Sequence, residues 1–433
     1  MYYLWSKILQ SSLLRTYTDM SVNDLLPGTS MYSTRYLGRQ PIVDANQQLV
    51  AYELLFRSSQ ANVARVNDDV MATTAVIRHA FVDLGVGEVL GDRLGFINVS
   101  DTLLMDDLLD VLPCDKVVLE ILETVKVTPP LLERLADLRR KGFRLAMDDV
   151  IELDEDRRAL LPLVDIIKID LVALSLLQLR ELVAQLAGFP GILLAEKVDT
   201  LEQFALCREL GIQWFQGYFF ARPTVLSTRQ ANASQHAMLS LLGLLMSDAD
   251  NEELAQALKL APDVVLMLMK LSSTASVASR RPVSSVQEAI MVLGRARIKR
   301  WSMLLLFASN ATNIEPQRNP LLELAATRGR IMELLAETCY PQRRDVQESA
   351  FMIGMLSLVD VLVQQPKAEV IASLPVDDML KEAVLQGRHA LGELLRVTES
   401  LENEAAPTLP GYDPEMLMRV QTQALDWVNS MWK

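Results

Sequence analysis

A rhythm running from Tyr36 to Gln216 constrains the fold more than any other feature. Short apolar runs alternate with stretches of helical periodicity. The runs 37–43, 49–56, 94–99, 116–121, 143–147, 164–169, 192–195 and 212–215 each read as a strand. The first two flank the turn Asp44-Ala45-Asn46-Gln47. Residues 69–84, 101–112, 129–141, 174–187 and 200–210 read as the intervening helices, with Pro129 in the first turn of its helix. Strands alternating with helices imply a parallel sheet, and about seven or eight of them imply closure into a TIM-like (β/α)8 barrel.

Barrels of this kind place their chemistry at the C-terminal ends of the strands. Here those ends carry Glu53, Asn98, Glu120, Asp148, Lys168, Glu196 and Gln216. The densest point is Phe143 to Asp149, where an apolar run meets the adjacent carboxylates Asp148 and Asp149. Two acids at the end of a buried strand repel each other and are poorly solvated, and a divalent cation relieves both problems. An acidic loop opening onto water is the alternative. Glu53, Asn98, Glu120, Asp148 and Asp149 supply the oxygen ligands that magnesium or manganese prefer. Lys168 could stabilise or deprotonate an attacking water.

Composition narrows the class. A chain of 433 residues, half of them hydrophobic, has room for two or three domains. No apolar run is long enough to span a bilayer, so no membrane partner is expected. A net charge of −13 argues against a broad nucleic-acid surface but not against a small anionic ligand held through metal ions. Cys114, Cys207 and Cys339 show no paired spacing, which fits a reducing cytoplasm and no zinc site. Residues 1–33 read as an extension without the features of a signal peptide, and Met20 or Met31 could be the true start.

Beyond Arg222-Pro223 the strand alternation stops, and helical stripes of Leu and Met read as core. Helices are expected over 263–271, 286–292, 298–307, 321–339, 348–363 and 416–432, with Gly294 as a break. Residues 364–375 read as a loop and 399–413 as an exposed link. The chain has three histidines, His79, His236 and His389, and no His-Asp dipeptide, so no His-rich metal centre can form.

Residues 35–223 resemble the EAL-domain phosphodiesterases of bacterial cyclic di-GMP signalling. The resemblance rests on Glu53-Leu54-Leu55-Phe56-Arg57, Ile97-Asn98-Val99-Ser100, Leu119-Glu120-Ile121-Leu122-Glu123, Asp148-Asp149, Asp165-Ile166-Ile167-Lys168-Ile169-Asp170, Ala195-Glu196-Lys197-Val198-Asp199, and Gln216-Gly217-Tyr218 with Arg222-Pro223. It implies that Glu53, Asn98, Glu120 and Asp148 hold one Mg2+ or Mn2+ and that Asp149 shares a second. It also implies that Lys168 and Gln216 position the attacking water with support from Glu196, and that Arg57 pairs with a substrate phosphate. The family follows its Asp-Asp pair with Phe-Gly-Thr-Gly-Tyr, where this chain has Val150-Ile151-Glu152-Leu153-Asp154. Its Glu-Gly-Val-Glu is here Glu196-Lys197-Val198-Asp199.

The second half resembles the HDOD domain in Leu258 to Asp263, Leu271-Ser272-Ser273 and Ser285 to Gly294. The relatives' His-Asp would fall near Ala350 to Leu356. HDOD domains resemble interaction modules, which implies an unidentified signalling partner, with a homodimer possible. The expected organisation is an extension (1–33), an EAL domain (34–225) and a helical HDOD domain (226–433). Hydrolysis of cyclic di-GMP to the linear dinucleotide is the first expectation. A sensor or scaffold that has lost turnover is the alternative.

Overall fold

The computed structural model describes residues 35–58, 90–217, 219, 233–246, 250, 253–254, 291, 294–308, 315–374, 376–402 and 412–431. The extension, the helices expected over 69–84 and 263–271, that over 286–292 except residue 291, and Arg222-Pro223 lie outside them. The described residues after 34 belong to one compact unit, Arg35–Lys433.

Eight strands close into a barrel in chain order. They are β1 (Arg35–Asp44), β2 (Leu49–Ser58), β3 (Leu94–Val99), β4 (Val117–Ile121), β5 (Arg144–Val150), β6 (Ile166–Asp170), β7 (Ile192–Glu196) and β8 (Trp214–Gln216). β1 runs antiparallel to both β2 and β8, and the other pairs are parallel. The barrel is therefore a (β/α)8 relative with one reversed strand. The antiparallel step follows from the tight turn after Asp44, whose carboxylate accepts from the backbone N–H groups of Asn46 and Gln48.

Strand parity builds the interior. Ile42, Ala51, Phe96, Val118, Ala146, Ile166 and Leu194, one from each of β1 to β7, form a buried cluster against which Trp214 of β8 packs. This is one layer of a filled barrel, in which the core is side chains rather than a pore. Each of its large members contributes roughly 1.5–3 kcal/mol by leaving water.

Outside the wall lie α1 (Asp101–Leu104), α2 (Pro129–Arg140), α3 (Glu155–Leu160), α4 (Leu176–Gln185) and α5 (Leu201–Glu209). Their starts carry chemical signals. Thr128 accepts from Leu131 N ahead of Pro129-Pro130, and Ser175 with Gln178 and Thr200 with Gln203 form capping boxes. The single helix expected over 101–112 is instead α1 followed by a 3-10 turn, Asp107–Val111.

The second half is helical throughout its described residues: α6 (Ala233–Met246), α7 (Arg295–Ala308), α8 (Pro320–Cys339), α9 (Arg344–Leu356), α10 (Val359–Val363), α11 (Lys367–Ser373), α12 (Asp378–Gln386), α13 (His389–Glu402) and α14 (Pro414–Ser430). The segment expected as one helix over 348–363 breaks at Ser357-Leu358, and the loop expected over 364–375 contains α11. Glu399 and Glu402 belong to α13 rather than to an exposed link. Both reach the buried Arg328, which forks onto Glu402 at 2.9 and 2.5 Å. The stretch Ala350 to Leu356 is buried against α8. A methyl group at Gly354 would come within 2.7 Å of Gly329 Cα, so the two helices cross with their backbones in contact. His389 is half-exposed and pairs with Glu382 at 2.9 Å, as an ordinary surface residue does.

The β1–β2 hairpin has no crossover helix to cover its outer face. α13 and α14 pack against β1 instead. At this junction Glu323 of α8 receives Arg39 and Arg93, each at 3.1 Å, and the hydroxyl of Tyr52 donates to it. The Arg39 guanidinium also lies 4.1 Å above the Tyr52 ring centre. Burial pushes the Glu323 carboxyl up to about 7 against the pull of Arg39, and burial lowers both guanidinium groups.

Candidate active site

The site is the interior layer next to the apolar one. Two residues beyond Ala51, Phe96, Val118, Ala146, Ile166, Leu194 and Trp214 stand Glu53, Asn98, Glu120, Asp148, Lys168, Glu196 and Gln216. Alternation with period two turns each of them inward, so an apolar floor carries a polar ring. On the reversed strand the same step runs backwards, from Ile42 to Gln40. Gln40 was not among the expected residues. Its signal was the parity of an antiparallel β1, which becomes readable once the turn at Asp44 is taken as a hairpin.

Lys168 is the hub of the ring. Its ammonium lies 2.5 Å from Glu120, 2.8 Å from Asp148, 2.8 Å from Glu196 and 3.7 Å from Glu53. Asn98 donates to Glu53 at 3.0 Å, and Gln216 donates to Glu53 at 2.5 Å and to Gln40 at 2.7 Å. Gln216 is fixed by its surroundings. Its carbonyl accepts from Val198 N, and the next residue, Gly217 at φ +149°, lies so close to Val198 that a methyl group would meet the carbonyl at 2.1 Å.

Fully ionised, four carboxylates around one ammonium would leave an excess of three negative charges in a buried space. Glu120 is fully buried, and burial, with Glu53 and Asp148 nearby, pushes its carboxyl well up against the pull of Lys168. Burial likewise raises Glu196 to about 7. Burial alone would lower the Lys168 ammonium, but Glu120, Glu53, Glu196 and Asp148 together hold it well above its ordinary value. Lys168 therefore keeps its proton and serves as a donor. Among the described residues, Asn98 Oδ1, Glu120 Oε2, Glu196 Oε2 and Gln216 Oε1 are buried without a hydrogen-bond partner, while Glu120 Oε1 pairs with the Lys168 ammonium. Orphaned acceptors beside excess negative charge match the donor set of a hard divalent cation.

The strand expected to stop at Met147 runs on to Val150, so both aspartates lie within it. Met147 pairs with Ile167 and Val150 with Ile169, so Asp148 and Asp149 together stand opposite Lys168. This bulge aims Asp148 into the barrel and sends Asp149, at φ +42°, to the rim. There Asp149 lies 3.4 Å from Lys197, whose ammonium is 2.6 Å from Asp170. Carboxylate oxygens of Glu123, Asp148 and Asp149 lie within 4.8 Å of one another, so Glu123 joins the rim although it was not among the expected ligands. Asp149 is thus the one expected metal residue set apart from the ring. Arg57 lies near the end of β2, and its side chain is outside the described residues. After Asp149 the chain is pinned by the buried Val150 and Leu153, and Asp154 caps α3 by accepting from Arg157 N.

A closed barrel with an acidic, lysine-centred ring at the C-terminal ends of its strands presents the oxygen donors that hard cations take. Comparison with known proteins identifies the family. The EAL domain matches residues 36–223 and the HDOD domain matches residues 235–384. The chain is 32% identical over 379 residues to cyclic di-GMP phosphodiesterase CdgJ of Vibrio cholerae, covering 86% of each chain. It is 29% identical over 407 residues to YuxH of Bacillus subtilis, covering 92% of this chain and 98% of that one. Among solved structures it is similar to the Bacillus subtilis YkuI protein, which has an EAL domain and was crystallised with cyclic di-GMP and calcium. There the identity is 22%, the match covers 60% of this chain and 71% of that one, and the TM-score is 0.38. The chain belongs to the EAL family of cyclic di-GMP phosphodiesterases, in the form that carries an HDOD domain after the barrel.

Among the described residues no helix is long and apolar enough to cross a membrane. Cys114, Cys207 and Cys339 are free thiols.

Proposed function

We propose that this chain hydrolyses cyclic di-GMP to the linear dinucleotide at the polar ring of its barrel. The observation that carries this reading is the set of orphaned buried oxygens around Lys168. Glu53, Asn98, Glu120 and Asp148 would hold a divalent ion, magnesium or manganese. By the same resemblance, Asp149 would share a second ion. When bound, such ions supply Lewis-acid polarisation of a phosphoryl oxygen and activation of water.

The chain's own residues do the rest. Lys168, kept charged by its four carboxylates, donates toward the attacking water and stabilises charge that grows in the transition state. Gln216 orients that water from β8, two strands along the barrel from Lys168. Glu196 bonds to Lys168 at 2.8 Å and fixes where the ammonium points. Arg57 would pair with a phosphate of the substrate through its planar fork. The HDOD half would bind a signalling partner, in the cytoplasm, and a homodimer is part of the proposal.

A second reading, a nucleotide sensor without turnover, is favoured by one observation. The segment after Asp149 is tied into the barrel wall by Val150 and Leu153, where the family has a glycine loop. One experiment separates the two. The purified chain is incubated with cyclic di-GMP and either Mg2+ or Mn2+, and the products are resolved by chromatography. Linear dinucleotide supports the enzyme. Binding without product supports the sensor, and neither binding nor product removes both.

A further inference from the structure

Two groups of carboxylates meet at the open end of the barrel, and they are neutralised differently. The inner group, Glu53, Glu120, Asp148 and Glu196, surrounds Lys168 and still leaves buried oxygens without partners. The outer group at the rim already holds a cation. Lys197 reaches from the end of β7 to Asp170 at 2.6 Å and to Asp149 at 3.4 Å. It does so from φ +56°, a backbone region that favours glycine and that a lysine enters only when its surroundings hold it there.

The geometry leaves little room for a second ion. A divalent cation sits about 2.0–2.6 Å from its carboxylate oxygens. The rim carboxylates that lie closest together are Glu123, Asp148 and Asp149, and the Lys197 ammonium, 2.6 Å from Asp170, already stands 3.4 Å from the last of them. An ion arriving there would share Asp149 with the ammonium and be repelled by it. The inner ring also holds an ammonium, but four carboxylates share it, and Asn98 Oδ1, Glu120 Oε2, Glu196 Oε2 and Gln216 Oε1 stay without partners and open to an ion.

We propose that Lys197 is a tethered cation that takes the place of an outer metal ion, so that the centre binds one divalent ion rather than two. The inference rests on the reading above that the inner carboxylates hold a metal. It assigns Lys197 a positioning role, since it fixes Asp149 and Asp170 at the rim.

The test counts ions and needs no turnover. The full chain, stripped of metal, is equilibrated by dialysis against saturating MnCl2. Bound manganese is then counted, and its electron paramagnetic resonance spectrum is recorded. Wild type is expected to hold one Mn2+ per chain with the spectrum of an isolated ion. Lys197→Gly, which suits the left-handed backbone and removes the charge, is expected to hold two and to show a spin-coupled pair. Lys197→Arg keeps the charge and is expected to hold one. Two ions in wild type, or one in Lys197→Gly, would overturn the inference while leaving hydrolysis standing. One ion in wild type and two in the glycine variant, with no linear product from either, would uphold it and sink hydrolysis. No bound ion in any variant overturns the inference and the metal centre together.

Discussion

Glu323→Ala is the sharpest test of how the two halves are held together. The carboxylate receives Arg39 and Arg93 at 3.1 Å each, and the side chains of those arginines are 9% and 15% exposed. Truncation leaves two nearly buried guanidinium groups without their shared counter-charge. It also removes the acceptor of the Tyr52 hydroxyl. Breaking a buried ion pair by deleting one partner costs about 3–5 kcal/mol, because the surviving charge stays in poor solvent. An exposed pair costs about 0–1 kcal/mol. Urea unfolding of the metal-free chain at pH 8.5, above the raised value of the Glu323 carboxyl so that it is ionised, distinguishes these values. Trp214 reports on the barrel interior and Trp427, packed on Phe351, on the helical half.

Replacing the whole cluster is a separate matter. In Arg39→Met/Arg93→Met/Glu323→Leu the carboxylate and both guanidinium groups are removed together, and such swaps are often neutral or stabilising. We therefore expect Glu323→Ala to lose about 3–5 kcal/mol and the triple variant to recover most of that. A loss below about 1 kcal/mol for Glu323→Ala would refute the reasoning, since the junction would then behave as a solvated surface pair.

Three further outcomes follow from the same structure. Burial raises the Glu323 carboxyl from 4.5 to about 7, so its contribution to stability is full below about pH 4.5 and is lost as pH rises through 7. Wild type should lose thermal stability relative to the non-titrating Glu323→Gln between pH 5.5 and 8, and a relative gain would show that the ion pairs outweigh burial. Glu53→Ala and chelation should both abolish formation of the linear dinucleotide, whereas Lys168→Ala should keep much of the nucleotide affinity, read by calorimetry, and lose turnover. Gly354→Ala should lower the thermal midpoint by several degrees through overpacking against Gly329 Cα, at roughly 1–3 kcal/mol; an unchanged midpoint would mean that the helices separate freely.

Most of the barrel was legible because its signals are local. Apolar runs alternating with helical stretches marked the strands, and Pro129 marked where its helix begins. Parity then placed seven polar residues in one ring. Other features depend on partners far along the chain. The bulge at Asp148-Asp149 is visible only against β6, so the sequence suggested both as ligands, of one ion and a second, without showing that the barrel points one inward and one to the rim. Gln40 was hidden because a reversed strand runs its parity backwards. Lys197 stood out as an added cation, but nothing local could show that it reaches Asp149 and Asp170. In the second half Leu and Met stripes announced helices without fixing their ends, and the break at Ser357 reflects packing around Arg328, whose guanidinium donates to the Ser357 hydroxyl at 2.6 Å.

The β1–β2 hairpin belongs to both halves, and that gives a last prediction. Its inner face supplies Gln40 and Glu53 to the ring, and its outer face supplies Arg39 and Tyr52 to the junction. Tyr52 and Glu53 are consecutive and point to opposite sides of one strand, so a shift of the backbone at one moves the other. Our hypothesis is that the helical half acts on the site through this strand. Tyr52→Phe isolates the route. The ring remains, and with it the contact with Arg39. Only the hydrogen bond to Glu323 is lost, and no residue of the polar ring is altered. Coupling carried through packed elements amounts to about 0.5–2 kcal/mol, a change of roughly 2- to 30-fold in affinity. We expect Mn2+ binding to the full chain to weaken within that range, measured by calorimetry, while the barrel's circular dichroism stays the same. Affinity identical to wild type would show that the junction only holds the halves together, and regulation would then have to enter the barrel elsewhere.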